Sequence, residues 1–313
     1  MGAVLSFTSE CFPGKPRFSE ADIPDLTGKV VIVTGGNSGV GKVLSQALLA
    51  HNATVYIAAR SEKKARGAIE EMKSATGEDS IHFLKLDLAD LGSVKAAAED
   101  FLSKETRLDV LYNNAGVMVP PIEALTVNGY DLTLGVNVLG HFYLTKLLLP
   151  TLTATASASP RGSVRVVNTS SAAQWFFDID FATFRDGPAR RKAGVKALYA
   201  QSKNGNVVFA NELARRFEDT GVVSMSFNPG NLATNLQRHL SKIEYAFVKL
   251  LLSPVEKFGA SSPLYAGFSP DGVALNGKYI IPWARLGPSR AKTRDPQLGH
   301  ELWKYLEEQV AGI

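Results

Sequence analysis

Lys29-Val30-Val31-Ile32-Val33-Thr34-Gly35-Gly36-Asn37-Ser38-Gly39-Val40-Gly41 is the stretch from which the fold can be read. Four consecutive apolar β-branched residues, Val30 to Val33, with no polar alternation mark a strand buried on both faces, as in a parallel sheet. Gly35 ends it. The segment Val40 to Ala50 then places Val43, Leu44, Ala47, Leu48 and Leu49 at helical spacing, with Asn52 closing the run. Strand, glycine turn and helix follow in that order.

The unit repeats along the chain. Strands are expected at Thr54 to Ala58, Ile81 to Leu86, Asp109 to Tyr112, Val164 to Asn168, Val222 to Phe227 and Lys278 to Ile281. Helices are expected at Ser61 to Ser74, Leu91 to Ser103, Val138 to Thr151, Leu198 to Phe217 and Pro296 to Val310. Alternating units of this kind imply an α/β fold, a single doubly wound parallel sheet of Rossmann type with helices on both faces. The Ala/Ser/Thr-rich stretch Thr153 to Gly162 returns directly to strand pattern, so it reads as a surface loop and not a domain boundary. The expected organisation is an N-terminal tail over 1–26 and one domain over 27–313, whose later loops, about 232–275, cover the substrate as a small lid.

The chain has 313 residues, 45% of them apolar and 20% charged, a formal charge of +4 and one cysteine. That composition builds a core and excludes a disordered or collagen-like chain. A surplus of four charges over 34 basic and 30 acidic residues gives no footprint for nucleic acid, and the run Arg190, Arg191, Lys192 reads as a solvated loop. Cys11 alone forms no intramolecular disulfide, which suits a reducing, cytoplasmic setting. Five scattered histidines offer no metal-ligand spacing, so no metal site is expected. Apolar runs such as Phe142 to Leu152 are interrupted by lysine, and no membrane-crossing helix is expected. Met1-Gly2-Ala3-Val4-Leu5-Ser6 fits the permissive pattern for N-myristoylation. The two readings of this end are peripheral contact with an intracellular membrane and a short apolar tail that is packed on the domain or frayed.

Ligands of doubly wound sheets bind beyond the carboxyl ends of the strands. The first strand-to-helix loop places glycines where the backbone turns tightly and approaches a pyrophosphate at a helix N-terminus. Gly35, Asn37, Ser38, Gly39, Val40 and Gly41 are therefore candidate contacts of a dinucleotide. Tyr199 and Lys203 stand four residues apart on a helix, so both project from one face toward one pocket. A neighbouring ammonium favours the ionised tyrosine, making Tyr199 the candidate general acid/base.

The spacing T-G-x-x-x-G-x-G resembles the short-chain dehydrogenase/reductase family. Further motifs stand in the family's order: Asn113-Asn114-Ala115-Gly116 after the fourth strand, Asn137 in the next helix, Ser171 after the fifth strand, Tyr199 and Lys203 as Y-x-x-x-K, and Pro229-Gly230 after the sixth strand. The resemblance covers about Thr27 to Thr234, with Lys278 to Ile281 matching the last strand. It implies a catalytic tetrad of Asn137, Ser171, Tyr199 and Lys203. In it Ser171, the second serine of its pair, polarises the substrate oxygen, Lys203 also bonds the nicotinamide ribose, and Asn137 completes a proton relay through water. It further implies cofactor contacts at Asp87 and Leu88 near the adenine, at Asn114, Ala115, Gly116, Pro229 and Gly230, and at Thr234 over the nicotinamide.

Ala59 stands where NAD-using relatives carry an acid, and Arg60 beside it offers a planar fork for a 2′-phosphate, so NADP (NADPH) is the expected cofactor. Asn37 and Lys63 are further candidates, although Lys63 and Lys64 equally suit an exposed helix face. A long insert between Ser171 and Tyr199 carries Trp175, Phe176, Phe177, Phe181 and Phe184, in the manner of the retinol-dehydrogenase-like branch and related fungal enzymes. Those rings either line an apolar pocket or pack the loop onto the core. Leu236 to Leu252 is an amphipathic candidate lid. The expected function is NADP(H)-dependent interconversion of an apolar aldehyde or ketone and its alcohol, with secondary metabolism as a setting suggested by resemblance and a homo-oligomer left open. The alternative is an NADP(H)-binding, redox-reporting protein with little turnover, acting through a partner or a membrane surface.

Overall fold

The computed structural model describes residues 2–234 and 252–313. Among the described residues eight strands form one sheet: β1 (Val30–Thr34), β2 (Thr54–Ala59), β3 (Ile81–Lys85), β4 (Val110–Asn113), β5 (Arg165–Thr169), β6 (Val223–Phe227), β7 (Tyr279–Ile281) and β8 (Arg285–Gly287), in the order β3-β2-β1-β4-β5-β6-β7-β8. All neighbours are parallel except β7 and β8, which pair antiparallel. Strand order reverses between β1 and β4, which opens a crevice at their carboxyl ends. The registers Val33↔Ile57 and Val33↔Tyr112 bring the loops after β1 and β4 to the same level beside it.

The helices are α1 (Gly2–Cys11), α2 (Gly39–Ala50), α3 (Glu62–Thr76), α4 (Leu91–Leu102), the single turn α5 (Leu132–Leu134), α6 (Gly140–Ser157), α7 (Pro188–Arg216), α8 (Val255–Phe258), α9 (Ser261–Phe268) and α10 (Pro296–Val310). Alternate residues of each strand feed two core layers. Val31 and Val33 face α2, α3 and α9 together with Leu44, Leu48, Ile69 and Leu264, while Ile32, Leu111 and Val166 face α4, α6, α7 and α10 together with Phe101, Phe142, Phe209 and Leu306. Cover on both faces buries every strand position, and all five residues of β1, β5 and β6 are buried, the polar Arg165, Asn168, Ser224 and Ser226 among them.

Several expectations change. Helix α6 runs to Ser157, beyond the expected Thr151, because Thr155 and Ala156 are buried where composition alone suggested loop. It is preceded by a π-helical turn, Gly135–Leu139. The run Leu132–Ser157 is long and apolar enough to cross a membrane, contrary to the reading of its lysine-interrupted core, but it is mostly buried within the domain, which accounts for its composition. Arg190 is not in a solvated loop. Its guanidinium is 2% exposed, donates to Asp131 at 2.9 Å and to the Ala124 carbonyl at 3.0 Å, and anchors the start of α7. Strand β8 was missed because three residues carry no alternation. Most of the amphipathic segment Leu236 to Leu252 lies outside the described residues.

The later part of α1 also packs on the domain. Phe7 meets Phe176 edge-on at 5.1 Å, and Arg285 donates to the Ser9 carbonyl at 2.9 Å. Cys11 is half-buried, which pushes its thiol up while a hydrogen bond with Asn231 pulls it back.

Candidate active site

Thr34, the last residue of β1, ties the two loops at the crevice. Its Oγ1 accepts the Asn114 and Ala115 N–H groups at 2.8 and 2.9 Å, and its carbonyl accepts Asn114 Nδ2 at 2.9 Å. The glycine loop above it is sterically committed. Gly35 has φ +67°, and a Cβ on Gly41 would stand 2.4 Å from the Gly35 carbonyl oxygen. Ser38 stands at the N-cap position of α2 with no side-chain capping hydrogen bond, and the helix N-terminus opens onto the space between the loops.

That space is a cavity of 430 Å³. Its walls come from Gly35, Ser38, Gly39, Val40 and Gly41 on the first loop, from Asn114, Ala115 and Gly116 after β4, from Ser171 after β5, from Tyr199 and Lys203 on α7, and from Pro229, Gly230 and Thr234 after β6. These candidates from five separate chain segments thus share one cavity. Asn37, Arg60, Asp87, Leu88 and Asn137 do not line it. Arg60 and Asp87 follow the ends of β2 and β3, farther along the sheet edge; Arg60 is exposed, and among the described residues its guanidinium makes no hydrogen bond or ion pair. Asp87 accepts the Ala89 N–H at 3.0 Å, and Leu88 is buried against Gly140 of α6.

At the inner end, Lys203 Nζ donates to the Thr169 carbonyl at 2.9 Å and lies 6.0 Å from the Tyr199 ring centre. The Ser171 side chain hydrogen-bonds Tyr199 and accepts the Ala173 N–H at 3.2 Å. Ser170 also lines the cavity, but its hydroxyl is committed to the Lys203 carbonyl, to which it donates at 2.7 Å. Burial dominates the electrostatics: it pushes Tyr199 up to about 12, against the Ser171 hydrogen bond, and Lys203 down to about 8. The simple expectation that Lys203 makes Tyr199 more acidic is therefore outweighed here, because both groups are desolvated and the ammonium is turned to Thr169.

Asn137 stands behind the wall in the π-helical turn. Its Oδ1 accepts the Val117 N–H at 2.9 Å and its Nδ2 donates to Ser202 Oγ at 2.9 Å. Its carbonyl accepts Asn206 Nδ2 at 2.7 Å and pairs with His141 Nδ1 at 3.1 Å. Burial lowers His141 to about 4, so a neutral imidazole links Asn137 to Thr34, whose Oγ1 lies 2.9 Å from Nε2. A Cβ on Gly116 would come 3.2 Å from Asn137 Oδ1 and 3.6 Å from Lys203 Nζ. The bare glycine leaves that cradle open. Thr169 Oγ1, in the wall, is buried and has no hydrogen-bond partner among the described residues. An open cradle, an unsatisfied hydroxyl and a helix N-terminus fit a polar nucleotide with a pyrophosphate.

The chain belongs to the short-chain dehydrogenase/reductase family. The family model described as short chain dehydrogenase matches residues 29–179. A short-chain dehydrogenase/reductase of Armillaria gallica is 53% identical over 309 residues, 99% of each chain. Among solved structures, a Pseudomonas aeruginosa RhlG/NADP active-site complex superposes with TM-score 0.64 at 25% identity, over 83% of this chain and 96% of that one. A 3-ketoacyl-(acyl-carrier-protein) reductase from Brucella melitensis complexed with NADH shares the fold, with TM-score 0.63 at 22% identity over 82% and 98%. This reductase-family chain is thus an oxidoreductase with a nicotinamide-nucleotide fold.

Reading from sequence missed Met118, Thr169 and Asn231 in the cavity wall and set Ser170 aside for Ser171, whereas Leu232 and Leu252 fall in the expected substrate cover. Met118 and Thr169 each stand two residues from a recognised motif residue, which was the available signal. None of the five aromatic residues of the insert lines the cavity. Phe181 and Phe184 meet Tyr305 of α10 at 5.6 and 5.2 Å in tilted and edge-on geometry, so they pack the insert onto the core.

Proposed function

We propose that this short-chain dehydrogenase/reductase uses NADP(H) to interconvert an apolar aldehyde or ketone and its alcohol. The meeting of the Ser171 and Tyr199 hydroxyls above Lys203, at the inner end of the glycine-loop cavity, carries this reading. When bound, the nicotinamide supplies the two-electron reducing equivalent. In the reductive direction Tyr199 donates its phenolic proton to the carbonyl oxygen, and Ser171 holds that oxygen by a hydrogen bond. Lys203, held at about 8 and so still charged at neutral pH, stabilises the phenolate left behind. Asn137 serves the relay from behind the wall by tying Val117 to Ser202, the residue before Lys203.

The exposed, uncommitted guanidinium of Arg60 at the end of β2, with Ala59 where an acid would bind a ribose hydroxyl, supports NADP over NAD. A buried Tyr199–Lys203 pair supports turnover over silent binding, since two desolvated ionisable groups are costly to keep without chemistry. The apolar side chains Val40, Met118, Leu232 and Leu252 in the wall support an apolar substrate.

Purified protein is expected to oxidise NADPH, read as absorbance loss at 340 nm, with at least one of decanal, 2-decanone, benzaldehyde and 9,10-phenanthrenequinone. Tyr199→Phe should cut kcat about 10²–10⁴-fold with NADPH affinity retained. A Tyr199→Phe enzyme as active as the wild type would refute the acid/base assignment. Arg60→Ala should lower the preference for NADPH over NADH about 10–100-fold, because it removes charge-assisted hydrogen bonds; a wild type that prefers NADH would exclude the NADP reading.

A further inference from the structure

Glu10, the one charged residue of α1, is 1% exposed. A carboxylate taken this far from water needs several donors to persist. It has three from three different elements. Oε1 accepts Trp175 Nε1 at 2.7 Å, and Oε2 accepts Asn228 Nδ2 at 2.7 Å and the Tyr279 hydroxyl at 3.2 Å. Burial still raises its pKa in spite of these donors and of Arg285 nearby.

Each donor leads to the cavity. Trp175 ends the short helical turn Ala172–Trp175 that Ser171 caps. The Tyr279 hydroxyl also lies 3.3 Å from the Ser171 carbonyl. Asn228 accepts the Gly230 N–H on its own Oδ1 at 3.0 Å, which shapes the Pro229-Gly230 wall. A single carboxylate therefore joins the turn bearing Ser171 to the turn bearing Gly230, and the helix that carries it is held independently by Phe7 on Phe176 and by Arg285 on Ser9.

We propose that Glu10 is a positioning residue of this active site: by docking α1 it sets the Ser171 turn and the Asn228–Gly230 turn at their working separation, so the amino-terminal helix is part of the catalytic apparatus. This rests on the oxidoreductase reading above. Carboxylate chemistry is required at this position, because all three neighbours present hydrogens. A glutamine of the same size would aim its NH2 group at a donor. Asn228 has no compensating flip, since its Oδ1 is committed to Gly230.

The test compares full-length wild type, Glu10→Gln, and Glu10→Gln combined with Asn228→Asp, which exchanges the two groups and restores a donor–acceptor match. With NADPH and whichever of the four carbonyl probes the wild type reduces best, Glu10→Gln should lose about 10–100-fold in kcat while the NADPH dissociation constant moves less than about 3-fold; the double variant should recover most of the kcat. Trp175→Phe, which deletes one donor from the opposite side and keeps a smaller aromatic ring, should lower kcat in the same way and provides the measurement if the Glu10 variant fails to fold. The Trp175 indole N–H resonance should lie downfield in the wild type and move upfield in Glu10→Gln. Unchanged kcat in both Glu10→Gln and Trp175→Phe, or loss of kcat only in parallel with loss of folded protein and with no recovery in the double variant, overturns the proposal. A wild type that binds NADPH and reduces none of the probes fails at the earlier step, overturning the carbonyl-reductase reading and this proposal with it.

Discussion

Burial sets the protonation of Tyr199 and Lys203 before any ligand arrives. A lysine held at about 8 against roughly 10.4 in an unfolded chain is charged in both states below pH 8, and there it costs the fold its full desolvation penalty. Between about pH 8 and 10.4 the unfolded chain binds more protons, so this residue makes stability rise with pH across that window. Lys203→Met should therefore melt several degrees above the wild type at pH 7 and should lack that share of the alkaline rise, while turnover is lost; thermal melts at pH 7 and pH 10 check both parts. A lower melting temperature at pH 7 would mean that the bond to the Thr169 carbonyl outweighs the buried charge. Tyr199 acts in the opposite sense: raised to about 12, it costs stability only as pH climbs past 10.

Among the elements, α7 carries the chemistry and depends on what anchors its start. Gly194, with φ +76° and ψ 158°, breaks the helix five residues before Tyr199, and ahead of the break Arg190 is paired with Asp131 at 2.9 Å in a nearly dry setting. Arg190→Ala leaves the Asp131 carboxylate buried with only the N–H groups of Thr133 and Leu134 and the Thr133 hydroxyl as donors. It should cost about 3–5 kcal/mol, seen as a lower urea midpoint with an unchanged m-value. The pairing was illegible in sequence: Arg190 and Asp131 are 59 residues apart, and a run of three basic residues looks like surface. What was legible at this scale was every parallel strand except for its exact ends, because short runs rich in β-branched and apolar residues alternate with helical periods along the chain. The π-helical turn at Asn137 and the antiparallel β8 were not, since neither imposes a periodicity on so few residues.

At the scale of the whole molecule, two core layers share one sheet and the cavity lies at its edge, so a ligand bound there is coupled to the stability of the folded chain. NADPH at 100 times its dissociation constant should stabilise the protein by about 2.7 kcal/mol, a rise of roughly 5 °C in melting temperature. NADH at the same concentration should give a smaller shift if Arg60 serves a 2′-phosphate, and thermal melts at matched concentrations measure the difference. Equal shifts would argue against any 2′-phosphate contact.

The sequence by itself determined the sheet's parallel core, the glycine loop and the order of the motifs, because each rests on short-range requirements: residue shape within a strand, φ at a glycine, four-residue spacing on a helix. It also carried the family. Only the tertiary structure decided the electrostatics and the outer wall of the site. Whether Lys203 lowers Tyr199 depends on how dry both are and on which carbonyl the ammonium faces, and neither quantity is local. The amino-terminal helix makes the same point: Glu10 stands 165 residues from Trp175 and 269 from Tyr279, so its place behind Ser171 follows from packing that no local pattern encodes.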